Sequence, residues 1–115
     1  MISTKNLIYD LADVPREWAF EHYLNLTEKL TGQDVKMKSV FNIREKTPSM
    51  CIYIDKNNIY KFKDFSSGNG GDAIALVQSL FNLPTRGSAS YKIIEDYNQY
   101  VLNNGHNAIK SYKQH

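Results

Sequence analysis

Apolar residues recur near helical spacing between residues 15 and 31. They are Trp18, Ala19, Tyr23, Leu26 and Leu30, with Glu17, Glu21, Glu28 and Lys29 between them. Asp13-Val14-Pro15 suits the opening of that helix, because Asp13 can accept first-turn amides and Pro15 needs no N–H there. Gly32 suits its end. The period then changes. Residues 35–41 alternate apolar and polar as far as Ser39, the pattern of a half-buried strand. Pro48 keeps Thr47 out of the helical region, so residues 42–48 form a connection. Met50 to Asp55 reads as a strand, Lys56-Asn57-Asn58 as a turn, and Ile59 to Phe65 as the returning strand. Alternation puts Ile59, Lys61 and Lys63 on one face of that strand and Tyr60, Phe62 and Asp64 on the other.

A Gly-rich loop, Ser66-Ser67-Gly68-Asn69-Gly70-Gly71-Asp72, follows the hairpin. Asp72 suits the N-cap of an apolar helix over 73–81. Pro84 and Gly87 break the chain again. Tyr91 to Leu102 forms another helix, with Ile93, Ile94, Tyr97, Tyr100 and Val101 on one face and Asn103-Asn104-Gly105 at its end. The order predicts an α+β fold, a small antiparallel sheet flanked by helices. Residues 1–105 make one module with its core over 33–83, and 106–115 a polar tail or linker.

Composition narrows the class. With 115 residues, 42% hydrophobic and 23% charged, the chain suits one folded domain. No apolar run approaches the roughly 20 residues of a membrane helix, and the first ten residues lack a secretory pattern. A lone cysteine, Cys51, excludes an internal disulfide and leaves no thiolate set for structural zinc. The expectation is a cytoplasmic protein without metal or cofactor, its Cys51 a small buried hydrophobe in a strand.

Charge is unevenly placed. Residues 29–63 carry eight cations, Lys29, Lys36, Lys38, Arg44, Lys46, Lys56, Lys61 and Lys63, against Asp34, Glu45 and Asp55. Such a segment suits either a solvated sheet face or a polyanion partner. Catalysis has little to draw on: His22, His106 and His115 are far apart, and no carboxylate pair has metal-binding spacing. The Gly-rich loop exposes amides, but it has no lysine and hydroxyl after its glycines to hold a triphosphate, and Asp72 sits where an anion would go. It reads as a strand-to-helix turn. Cations with nearby rings suit single strands, whose phosphates follow the cations and whose bases stack on the rings. Alternation assigns Tyr60 and Phe62 to the core, leaving Tyr53 and Phe65 as the candidate stacking rings.

At residues 39–77 the chain resembles the N-terminal CHC-type zinc-binding domain of DNA primases. Glu45-Lys46-Thr47-Pro48-Ser49 is similar to that family's E-K-T-P-S-F core. The hairpin ending in Phe62-Lys63-Asp64-Phe65-Ser66-Ser67-Gly68, then Gly70-Gly71-Asp72 and an apolar helix, follow in the same order. Zinc-bearing members end the hairpin in C-F-G-C. Matched back from Gly70-Gly71-Asp72, those two cysteines fall on Asp64 and Ser67. The family's earlier C-P-F-H falls on Ser39 to Asn42 with one inserted residue, or on Val40 to Ile43 without it. Neither alignment leaves zinc ligands, so the chain resembles a zinc-less, phage or mobile-element form.

The resemblance implies a non-catalytic part of a DNA primase that contacts single-stranded template during primer synthesis. The nucleic-acid contacts would be Lys36, Lys38, Arg44, Lys46, Lys61 and Lys63 on phosphates, with Tyr53 and Phe65 on bases. Thr47, Pro48 and Ser49 would shape the connecting loop. Gly68, Gly70, Gly71 and Asp72 would build the turn, and Asp64 would cap it by accepting loop amides. The implied partners are single-stranded DNA and a primase catalytic domain or replicative helicase, with no membrane. The rival role is a protein-interaction adaptor docking through the 91–102 helix or the Trp18 face.

Overall fold

The computed structural model describes residues 7–113, with side chains over 7–103. Four antiparallel strands, β1 (Val35–Met37), β2 (Met50–Ile54), β3 (Tyr60–Asp64) and β4 (Gly70–Gly71), lie side by side in chain order. Three helices accompany them: α1 (Arg16–Tyr23), α2 (Ala73–Leu80) and α3 (Arg86–Lys113). The class is α+β. The inner sheet face contributes Val35, Met50, Ile52, Tyr60 and Phe62 to the core. Trp18, Ala19 and Phe20 of α1, Ala73, Leu76 and Val77 of α2, Ala89 and Ile93 of α3, and Val14, Leu24 and Leu30 beside them complete it.

The first helix is shorter than its apolar spacing predicts. It begins at Arg16 behind Pro15, which makes no side-chain cap; Asp10 instead caps a short 3-10 turn over Leu11–Asp13. It stops after Tyr23 because Asn25 turns left-handed, with φ 54°. The amide of Leu26 then bonds to the carbonyl of Glu21, and that of Asn25 to His22. Those two bonds make a Schellman ending with asparagine in glycine's place. Leu30 stays buried without a helix beneath it, because the chain folds back and the Leu30 amide donates to Glu21 Oε2 at 2.8 Å. Gly32 donates its amide to the Tyr60 hydroxyl at 2.8 Å. Apolar spacing reports burial, and a loop can satisfy it.

The hairpin matches its pattern. Asn58 takes the left-handed conformation, and Asp55 Oδ1 accepts the amides of Asn57 and Ile59 at 2.8 and 3.0 Å. Strand β1 covers only the first three residues of the alternating stretch. The Gly-rich stretch is more than a turn, for Gly70 and Gly71 pair with Lys63 and Phe62 as an edge strand. Asp72 caps α2 through the Ala75 amide at 2.9 Å. That helix ends like the first, with Asn82 left-handed and Leu83 bonded back to Gln78. Helix α3 begins five residues before Tyr91, where Thr85 and Ser88 cap each other reciprocally. It passes Asn103-Asn104-Gly105 and continues through much of the expected tail, since one glycine costs a helix only about 1 kcal/mol. Of that tail, residues 114–115 lie outside the described residues. Among the described residues no helix is long and apolar enough to cross a membrane.

Gly71 joins sheet to helix at φ 137°, and an added Cβ would lie 2.7 Å from the Ala75 Cβ. Gly68 also has positive φ, but a Cβ there meets nothing within 4 Å. Gly71→Ala is therefore expected to cost about 2–4 kcal/mol in urea unfolding, through strain and overpacking together. Gly68→Ala is expected to cost only about 1–2 kcal/mol, from backbone strain alone. Equal losses would contradict this packing of β4 against α2.

Candidate nucleic-acid interface

Residues directly opposite in antiparallel strands share a face. The register places Lys36 opposite Cys51, Cys51 opposite Lys63, and Tyr53 opposite Lys61. Lys36, Cys51, Tyr53, Lys61 and Lys63 therefore make up the outer face, while Tyr60, Phe62 and Asp64 point to the core. Tyr53 is on the cationic side, half-buried. Cys51 is also half-buried on this outer face rather than in the core. Burial pushes its thiol up, with Asp34 adding to the rise and Lys36 opposing it.

The cations differ in how they are engaged. Lys61 Nζ lies 3.0 Å from Asp55 Oδ2, and hydrogen bonding from Lys61 leads the causes that hold the Asp55 carboxyl below its usual range. A half-buried pair at the sheet surface contributes modestly to stability, but it ties Lys61 to the hairpin turn. Lys63 instead reaches toward Phe65, with Nζ 6.0 Å from the ring centroid. Phe65 is 74% exposed. Lys36, Lys38, Arg44 and Lys46 are exposed, and no ion pair among the described residues engages them.

The outer face continues past the strand ends. The Phe65 amide donates to the Ser49 carbonyl at 2.9 Å, adding one more backbone link beyond the Met50–Asp64 pair. The 42–49 loop is anchored at its other end too, where Asn42 Nδ2 donates to Ser66 Oγ at 2.8 Å. Phe41 stacks on Phe62, with centroids 5.9 Å apart. Within the loop, Glu45 Oε1 accepts the Thr47 hydroxyl at 2.7 Å and its amide at 3.2 Å, which sets the bend before Pro48. The loop thus projects from the end of the sheet that carries Phe65, bringing Arg44 and Lys46 to that end. Ser49 contributes its carbonyl, while its buried hydroxyl has no partner among the described residues.

Beneath this end lies a buried polar knot. Asp64 is fully buried, and its Oδ2 accepts the hydroxyls of Ser39 and Ser67, each at 2.6 Å. Its Oδ1 accepts the Ser66 amide at 3.3 Å. Ser39 Oγ in turn accepts the amides of Phe41 and Asn42 at 3.1 and 3.0 Å. The Asp64 backbone joins in: its carbonyl accepts Gly68 N–H and its amide donates to Asn69, both at 2.8 Å. Burial alone pushes the Asp64 carboxyl up, but hydrogen bonds from Ser39, Ser67 and the turn amides outweigh it and hold the group below the usual carboxylate range. Ser39, Asn42, Asp64 and Ser67 all belong to this region. Their donor set is oxygen and amide, already hydrogen-bonded internally, and does not fit zinc, which takes thiolate and imidazole in structural sites.

Not every candidate gathers here. Tyr53 and Lys61 lie toward the hairpin turn. Asp72 sits at the start of α2, held by a two-pronged pair with Arg86 at 2.8 and 3.3 Å. Gly70 and Gly71 form the β4 edge beside Lys63. Sequence reasoning missed Ile43, 91% exposed on the loop, and Arg86 as the partner of Asp72. Ile43 breaks no alternation in an irregular segment, so nothing marked it. Arg86 lies 14 residues from Asp72, beyond any local rule.

Because the folded Asp64 carboxyl titrates below its unfolded value, its contribution is complete above about pH 4 and is lost as pH falls through the lower folded value. At pH 7, Asp64→Asn is expected to lower unfolding stability by about 2–3 kcal/mol, as strong hydroxyl bonds to a charged acceptor weaken. The gap from wild type should narrow below about pH 4. A gap unchanged between pH 7 and pH 2.5 would contradict an ionised Asp64 at the centre.

Comparison with protein-family profiles, curated proteins and solved structures finds no match for this chain.

Proposed function

We propose that the chain is the template-contacting, non-catalytic module of a phage-like DNA primase, binding single-stranded DNA for primer synthesis during replication. One observation carries the reading. An exposed ring, Phe65, stands beside Lys63 on the outer sheet face, at the foot of a loop bearing Arg44 and Lys46. A single strand needs that pairing: a π-face for a base and cations for its neighbouring phosphates. Lys36 on the edge strand β1, and Lys38 just beyond its end, extend the cationic track. The grouping of Ser39, Asn42, Asp64 and Ser67 also supports the resemblance on which the primase assignment rests. It favours the alignment that starts at Ser39 over the one that starts at Val40.

A second reading draws on the helices. His22, Tyr23, Phe81, Asp96, Gln99, Tyr100 and Asn103 line an open groove of about 530 Å³ between α1, the end of α2 and α3. An adaptor role would use this groove to dock a replicative helicase or a primase catalytic domain. The Trp18 face is not available for that: Trp18 is buried, stacked on His22 at 4.6 Å and edge-on to Tyr97 at 4.9 Å.

Titration of a labelled single-stranded oligonucleotide tests the first reading. Binding should weaken steeply as salt rises. Phe65→Ala should cost about 1–3 kcal/mol of affinity through lost stacking. Lys63→Ala should weaken binding on all sequences and reduce the salt slope by about one. Lys61→Ala should do less, because Asp55 already holds that ammonium. No binding at low salt would overturn the reading and favour the adaptor.

A further inference from the structure

We propose that the cavity at the hairpin-turn end of the sheet is a binding site for a guanine base. It lies at the opposite end of β3 from Phe65, so it stands apart from the proposed strand-binding face. The cavity holds about 410 Å³ between the start of α1, the β2–β3 turn and the start of α2. Small-molecule pockets typically span about 300–1,000 Å³ and combine apolar walls with a few convergent polar groups. Here Ile54, Ile59 and Tyr60 give apolar walls, while Arg16, Glu17 and Asn58 bring the polar groups. The charged groups are not equally engaged. Asp72, also in the wall, is held by Arg86 at 2.8 and 3.3 Å. Arg16 Nη1 donates to the Leu11 carbonyl at 3.2 Å, which uses one of its several N–H donors. Glu17 is half-buried, and no ion pair or hydrogen bond among the described residues engages its carboxylate.

One guanidinium and one carboxylate are thus left to a ligand. They suit a group without net charge that gives donors to Glu17 and an acceptor to Arg16. Guanine has that edge. Its N1–H and 2-amino group point the same way and can meet both oxygens of one carboxylate, and O6 beside them accepts from a guanidinium. Adenine, cytosine and thymine have no two adjacent donors on that edge. The flat faces of the ring suit the walls made by Ile54, Ile59 and Tyr60. An amino-acid zwitterion would match the two charges but leave most of the volume to water. The base can arrive on a free nucleotide or on a strand, and the recognising chemistry is the same.

Isotope-labelled full-length chain is titrated with GMP, IMP and AMP, following the amide shifts of Glu17 and Ile59. Two further arms use a thymidine oligonucleotide carrying one guanine and its all-thymidine parent. GMP is expected to shift both amides. IMP lacks the 2-amino donor and should bind at least about tenfold more weakly, with AMP weaker still. Glu17→Gln sets a donor against a donor; it should weaken GMP at least about tenfold and erase its lead over IMP. The nucleotide series needs no variant, so an unstable Glu17→Gln leaves the test intact. Tighter binding of GMP than of the guanine oligonucleotide assigns a free nucleotide, and the reverse assigns a base on a strand; either supports the site. The proposal is overturned if AMP shifts these amides as strongly as GMP. It is also overturned if neither GMP nor the guanine oligonucleotide shifts them at millimolar concentration, or if a folded Glu17→Gln keeps the full preference for GMP.

Discussion

A buried carboxylate is expensive unless its oxygens are filled, and the architecture at one end of this sheet follows from filling those of Asp64. Two serine hydroxyls and the Ser66 amide meet its carboxylate, and its own backbone closes the turn to Gly68 and Asn69. Together the bonds tie two segments to the end of β3, the chain leaving β1 at Ser39 and the turn over residues 66–69. Remove the carboxylate, and Ser39 no longer has a reason to leave the sheet line and turn the chain into the 42–49 loop. That loop carries Arg44 and Lys46, and its far end pairs with Phe65. The outer sheet face and its loop, the proposed binding face, therefore inherit their shape from a buried group that never touches the surface.

The same economy runs through the helical side. The two short helices both end on asparagine, Asn25 and Asn82, each left-handed and each followed by a back-bonded leucine. These endings fold α1 and α2 back sharply enough for one long helix to cover both. Where α1 meets α3 and the end of α2, an aromatic seam forms: Trp18 against His22 and Tyr97, and Tyr23 edge-on to Phe81 at 5.7 Å. The Tyr23 hydroxyl donates to Asp96 at 2.7 Å, and Lys92 bridges that carboxylate to the Phe81 ring. Burial, then the bond to Asp96, pushes the Tyr23 phenol well above its ordinary range. Sheet and helices thus carry different chemistry on their open faces, cationic on one and aromatic on the other.

Much of this was legible in the residues, for physical reasons that differ from element to element. Strand alternation assigned every side of β3 correctly, because a period of two admits no compromise when one face is buried. Asp72 as a cap was legible because capping is local. The length of α1 was not: Leu26 and Leu30 fit a helical stripe, and only the left-handed Asn25 shows that the chain had already turned. The start of α3 was hidden behind Pro84 and Gly87, residues that break helices in general but here precede and follow the Thr85 cap. Within the candidate site, Lys63 and Phe65 are marked as candidates by their types, while the tie between Lys61 and Asp55 spans the hairpin turn and follows from the folded register. Ser39, Asn42 and Ser67 are marked by resemblance alone; the acceptance of a loop amide by Asp64 is legible from its residue type and place, while the two serine hydroxyls on the same carboxylate are not.

Hydrogen exchange at single-residue resolution, comparing wild type with Asp64→Asn, examines the central role of Asp64 most directly. If Asp64 holds this end together, the amides of Asn42, Phe65, Ser66 and Gly68 lose protection in the variant, while those of Leu76 in α2 and Ala89 in α3 keep theirs relative to global unfolding. Uniform loss across all of these amides, or no loss at the first four, would contradict it and return the bracing of the loop to the apolar core.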